Sequence, residues 1–305
     1  MRNVYLSTSV GNREGFYMQR IRRHLPGLAL MAMLVGAGPA LAETPADPPV
    51  AELSVATVAR AMQFDALFQV LREEGLNHGA TLEADMMPGG AGPGWTQALE
   101  RIYDLPSLRA RFDAALDAQL SGDPEALAEI IAFFSSDLGK RVVTQEIEAR
   151  RAFLDTATEE AARVAADKRA ATRDPKQRLL QRMIDAGDLL EMNVAGAMSG
   201  NFAFLSGISG TGAYGAPMPE DQILSDVWAQ EDQIRADTSS WLYAYLGLAY
   251  DPLSEAEMQA YVDFAESPAG RRLNAALFTA FDTVFRQVSY DLGRATGIAL
   301  QGRDI

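Results

Sequence analysis

The chain has 305 residues, 48% of them hydrophobic, with 41 acidic against 27 basic side chains, a formal net charge of −14 at pH 7 and no cysteine. Acidity on that scale repels phosphate backbones and anionic headgroups, which argues against nucleic-acid binding and electrostatic docking on membranes. Without cysteine there are no disulfides and no thiolate metal sites, so the apolar core alone must hold the fold.

Residues 1–42 read as a cleavable signal peptide. Arg20, Arg22 and Arg23 supply a basic start, residues 25–35 an apolar stretch, and Ala40, Leu41 and Ala42 a small-residue cleavage site ahead of Glu43. Met18 makes a more conventional start than Met1. Residues 25–42 approach the roughly 20 apolar residues that cross a bilayer. Pro26, Gly27, Gly36, Gly38 and Pro39 interrupt them, however, so no stable transmembrane anchor is expected after cleavage. Arg22 and Arg23 lack the surroundings of a twin-arginine signal. The expected address is periplasmic or secreted, and removal of the leader leaves a chain more acidic still.

Residues 43–54 form a short Pro-rich linker, and helical periodicity takes over after it. Val55, Val58, Met62, Ala66, Val70 and Leu71 recur mostly at three- and four-residue steps, which predicts an amphipathic helix over 55–76. A Gly-rich loop at 86–94 and a helix near Trp95 follow. Asp123 is placed to cap a helix starting at Pro124, with Leu127, Ile130, Ile131 and Phe134 as its buried face. Ser136 caps the next helix, which the pattern extends from 139 to about 171. Its charged residues, among them Glu146, Arg150, Glu159, Arg163, Asp167 and Arg169, read as a solvated or partner-facing surface. Arg173, Asp174 and Pro175 end it, because the residue before a proline is pushed out of helical geometry.

The same order then returns. A helix over 178–198 leads into a second Gly-rich loop, 199–219, then a helix near Trp228 and one carrying Trp241, Tyr243, Tyr245 and Tyr250. Ser254 and Glu257 form a capping box ahead of Met258, Tyr261 and Phe264. Ser267 caps a last helix with Pro268 in its first turn. The repetition is sharpest in one phrase: Phe133, Phe134, Ser135, Ser136, Asp137, Leu138, Gly139, Lys140 and Arg141 are answered by Phe264, Ala265, Glu266, Ser267, Pro268, Ala269, Gly270, Arg271 and Arg272. The expectation is an all-α fold of antiparallel helices with Gly-rich loops, built by internal duplication as module 1 (55–173) and module 2 (174–305). In each copy the serine reads as a helix cap and the glycine as a close-packing position.

The run Ser254, Glu255, Ala256, Glu257 and Met258, followed by Phe264, Ser267, Pro268, Ala269, Gly270 and Arg271, resembles the DUF2059 family of exported bacterial helical proteins. The resemblance is closest over 253–291, and 123–153 is a weaker version in which Asp137 and Leu138 replace Pro268 and Ala269. It implies a helical fold and an envelope location, and it carries over no catalytic residue.

Chemistry is sparse. Once the leader takes His24, His78 is the sole histidine, and it reads as a helix C-terminal cap at 76–79 and not as a metal ligand or general base. Ser136 and Lys140 have the wrong spacing for a serine–lysine nucleophile, and the second copy carries Arg271 instead. Lys140, Arg141, Arg271 and Arg272 read as a solvated basic edge, with a grip on an acidic partner or an anionic headgroup as the minority reading. Gly207, Gly210 and Gly212 lack the strand and lysine of a phosphate loop. Glu83 with Asp85, or Glu255 with Glu257, could pair for acid–base work, but an acidic helical surface makes such pairs by chance. No catalytic, cofactor or metal residue is assigned. The expected function is non-enzymatic binding of an envelope protein, with a periplasmic small-molecule or lipid-binding protein holding an apolar inter-helix cavity as the alternative. The loops, with Phe202, Phe204, Tyr214 and Trp228 nearby, are the best place for a mouth for either, against the plainer reading that these aromatics plug the core.

Overall fold

A computed structural model describes residues 53–302, apart from Pro88 and Tyr214. The leader and nearly all of the linker lie outside the described residues. Those described are all-helical: α1 (Val55–Ala61), α2 (Phe64–Met86), α3 (Pro93–Ile102), α4 (Leu105–Leu120), α5 (Pro124–Ser135), α6 (Asp137–Ala152), α7 (Thr156–Thr172), α8 (Pro175–Ala186), α9 (Leu189–Ser209), α10 (Glu220–Trp228), α11 (Glu231–Ala249), α12 (Glu255–Ala265) and α13 (Pro268–Leu300). None of these helices is long and apolar enough to cross a membrane.

Three of the expected helices are broken. The 55–76 helix ends at Met62 and restarts at Phe64, because Gln63 adopts a left-handed conformation (φ 52°). Asp188 does the same (φ 51°) between α8 and α9. A left-handed residue with a side chain costs roughly 1–2 kcal/mol, and in both places the turn lets buried apolar residues on either side, such as Met62 and Phe64 or Ile184 and Leu189, reach the core. The expected 139–171 helix also divides, at Phe153–Asp155, where Asp155 accepts hydrogen bonds from the N–H groups of Ala157 and Thr158 and starts α7.

The repeated phrase folds as its capping chemistry dictates. Ser136 Oγ accepts from Gly139 N at 3.0 Å, and Ser267 Oγ accepts from Gly270 N at 3.1 Å. A β-carbon on Gly139 would stand 2.2 Å from the Phe133 carbonyl oxygen, and one on Gly270 would stand 2.1 Å from that of Phe264. Only glycine lets each helix turn so tightly on its predecessor. The two phrases also meet. Phe133 and Phe264, which hold the same place in each, stack with centroids 4.9 Å apart and planes 12° apart. Arg141 pairs with Glu257 at the start of α12, and Arg272 in turn donates to the Gln119 carbonyl just ahead of α5.

One buried cluster joins residues from both sides of Asp174. Phe112 on α4 is its aromatic hub, 4.8 Å from Phe64, 5.1 Å from Phe68 and 4.6 Å from Phe281 on α13. The most extensive helix contact among the described residues is that of α9 with α13, and its glycines overturn part of the loop expectation. Residues 199–209 are helix, and Gly207 faces α13 so closely that a β-carbon would lie 2.3 Å from the Tyr290 carbonyl oxygen. Gly293 returns the contact, 2.1 Å from the Phe204 carbonyl oxygen. These glycines serve a helix crossing, and the loop proper shrinks to 210–219.

Candidate functional site

His78 lies inside α2 and not at its end, because Gly79 continues the helix and faces Leu99 of α3, where a β-carbon would clash at 2.5 Å. Trp95 Nε1 donates to the Gly79 carbonyl, filling the same junction. No group of three or more His, Asp or Glu side chains among the described residues is arranged to hold a metal ion. Lys140, Arg271 and Arg272 are exposed, and Arg141 is half exposed and paired with Glu257. The Ser254 amide and Arg141 hold the Glu257 carboxyl down at about 2, so it stays ionised and serves the helix cap.

The structure holds a strongly perturbed carboxyl where the sequence pattern places a solvated surface. Glu146, expected on a solvated surface, is fully buried on α6, between the apolar Val142, Val143 and Ile147 of the same face. The hydroxyls of Tyr250 and Tyr261 both donate to its Oε1 at 2.6 Å, and Tyr245 donates to its backbone carbonyl at 2.9 Å. Its Oε2 is buried without a partner among the described residues. Burial pushes the carboxyl up to about 8, against the two phenols, which pull it down. One turn further, the buried Arg150 meets Glu74 of α2 at 2.8 Å. A raised carboxyl is often a mark of catalysis, but Glu146 is enclosed by core on every side. It joins α6 to α11 and α12 and presents no atom to solvent. The signal was available in sequence: Val142, Val143, Glu146, Ile147 and Arg150 share one helical face.

The expected mouth divides. Phe204 is buried in the core, Phe202 is half-buried, and Tyr214 lies outside the described residues. Phe202 instead lines an open recess of about 360 Å³ with Ser206, Ser209, Gly210, Met218, Glu220 and Ile223, between α9 and α10. Ser209 Oγ accepts from Met218 N at 2.7 Å and ties the loop's exit to α9. On the outer face of α10, Trp228 is 61% exposed and Leu224, one turn earlier, 42%. Ile223 and Val227 of the same helix point into the core, which fixes the orientation of the exposed pair. The setting is acidic. From Met183 to Ile234 the chain has no lysine, arginine or histidine, while Asp185, Asp188, Glu191, Glu220, Asp221, Asp226, Glu231 and Asp232 fall within it. The bordering Arg235 is held by Glu191 and Glu231 at 2.9 and 3.0 Å.

The fold and this face define a helical protein with an exposed apolar pair on α10. A family model described as "Uncharacterized protein conserved in bacteria (DUF2059)" matches residues 107–168. The match is a single copy that spans the first phrase, whereas the sequence reading placed the closer resemblance at 253–291. Neither a curated protein nor a solved structure matches the chain.

Proposed function

We propose that this is a non-enzymatic, exported helical protein that binds another protein of the cell envelope through the outer face of α10. The observation that carries the reading is the pair Leu224 and Trp228, exposed one turn apart on a helix whose opposite side is anchored. Tryptophan is the residue type most enriched at interface hot spots. Covering most of an indole, on the order of 150 Å², is worth roughly 3–4 kcal/mol before ordering costs. The acidic surroundings specify the partner as an apolar groove with a cationic rim. A second copy of the chain would set acid against acid, and anionic lipid would be repelled.

The two-module reading belongs with this proposal. The order of helices α1–α6 recurs as α8–α13, with a left-handed residue at the same point of each and a tryptophan on the third helix of each. Equivalent phenylalanines stack, and equivalent arginines reach across in both directions, as two related halves packed about a local two-fold would do. Module 1 keeps its tryptophan, Trp95, in the core, and module 2 turns Trp228 outward, so the binding face is peculiar to the second half.

The test is the double substitution Leu224→Ser with Trp228→Ser. Both side chains are exposed, so the melting temperature should hold, while co-purification of envelope proteins with the tagged chain should be lost. Undiminished co-purification would remove α10 from the account.

A further inference from the structure

A second recess, of about 300 Å³, opens where the end of α7, the starts of α8 and α12 and the last turn of α11 converge. Its wall holds an under-used guanidinium. Arg109, Arg141, Arg150, Arg163, Arg182 and Arg235 each meet a carboxylate. Arg169 meets none among the described residues, and it differs from the other arginines without one in having a buried nitrogen with no acceptor, its Nε. Its Nη2 donates to the Tyr243 carbonyl at 3.3 Å.

The guanidinium is nonetheless held in a fixed place. It lies against the bare backbone of Gly247 in α11, where a β-carbon would fall 1.7 Å from Nη2. A glycine inside a helix costs about 1 kcal/mol relative to alanine, and here it makes the room that seats Arg169. A planar fork of five donors, fixed at the wall of a recess with most of its donors unspent, suits a carboxylate. Lys176 stands in the same wall, its Nζ on the Asp251 carbonyl at 2.7 Å.

Opposite charge is present too. The carboxylate of Asp174 caps α8, and those of Asp251 and Glu255 stand exposed at the mouth. A simple anion would have these three to contend with. Leu180, Leu246 and Met258 are buried residues that also line the recess and give it an apolar floor.

We propose that this recess binds a small zwitterion with an apolar side chain, an amino acid or dipeptide. Its carboxylate meets Arg169 and Lys176, its ammonium the three carboxylates, and its side chain the apolar floor. The volume lies at the lower end of the range for small-molecule sites, which matches a ligand of that size. The site is separate from the α10 face and stands or falls without it.

Isothermal titration of the purified protein with L-leucine, L-methionine and leucyl-leucine tests this, with N-acetyl-leucine lacking the ammonium and leucinamide lacking the carboxylate. At least one zwitterion should bind saturably at a single site, and either blocked form should bind at least tenfold more weakly. Arg169→Gln should lose at least tenfold. Gly247→Ala should do the same by displacing the guanidinium, and Lys176→Gln, which leaves Arg169 seated, should lose about threefold. Thermal melts of each variant establish that it is folded, and the Lys176 change decides the matter if the other two are not. No saturable heat from any of the three zwitterions would overturn the proposal. So would equal binding of either blocked leucine, or folded variants that bind as the parent does.

Discussion

Glu146→Gln isolates the buried carboxyl in a single atom change. The folded state holds the group at about 8, above its ordinary value of 4.5. Between those values the folded chain binds more protons than the unfolded one, so stability falls as pH rises. The contribution is complete below about pH 4.5 and is lost progressively as pH climbs through 8. Each pH unit inside the window is worth about 1.4 kcal/mol, so wild type should lose about 3 kcal/mol between pH 5 and pH 7.5. Glutamine keeps an oxygen for the phenols of Tyr250 and Tyr261 and cannot ionise. The variant should therefore match wild type near pH 5 within about 1 kcal/mol and exceed it by about 3 kcal/mol at pH 7.5. Urea midpoints at half-unit steps from pH 5 to 8 make the measurement, in a range where the lowered carboxyl of Glu257, at about 2, does not titrate. In melting temperature the gap amounts to about 6–12 °C for a chain of this size. Parallel curves for the two proteins across that range would refute the reasoning.

Other expectations concern the joint between the phrases. Gly139→Ala and Gly270→Ala each drive a methyl group into a backbone carbonyl at 2.2 and 2.1 Å; each should cost about 2–4 kcal/mol in urea unfolding, and a loss under 0.5 kcal/mol would show that the contact is relaxed cheaply. Phe133→Ala, Phe264→Ala and the double variant should give a coupling energy of about 0.5–1.5 kcal/mol, the usual worth of a stacked aromatic pair. Additive effects would mean that the two rings meet without interacting.

The caps were the most legible part of this fold. Asp123, Ser136, Ser254 and Ser267 each accept the N–H group that their position demands, because capping is local chemistry that spacing alone reveals. Glycine misled where its role was tertiary. Spacing places Gly79 in a turn and Gly207 in a loop, yet both are helical residues against which a neighbour packs, a partner that spacing cannot disclose. The left-handed Gln63 and Asp188 were invisible for the same reason, since neither residue type announces the conformation. Glu146 was lost among charges. Counted as one more acid on a charged helix, it looked solvated, while the apolar neighbours on its own face placed it inside. On the candidate face, the sequence leaves Trp228 between a loop mouth and a core plug, and its exposure depends on Ile223 and Val227 taking the inward positions of α10.

The central claim, that α10 is a docking face for a cationic-rimmed protein, meets its most direct test in a photo-crosslinking residue placed at position 228 in the cell. The account predicts an adduct with another protein that is absent when the crosslinker replaces the equally exposed Val164 on α7, and that fades when Glu220 and Asp221 are changed to lysine. An adduct with a second copy of the chain, an adduct with lipid, or no adduct at position 228 would contradict it.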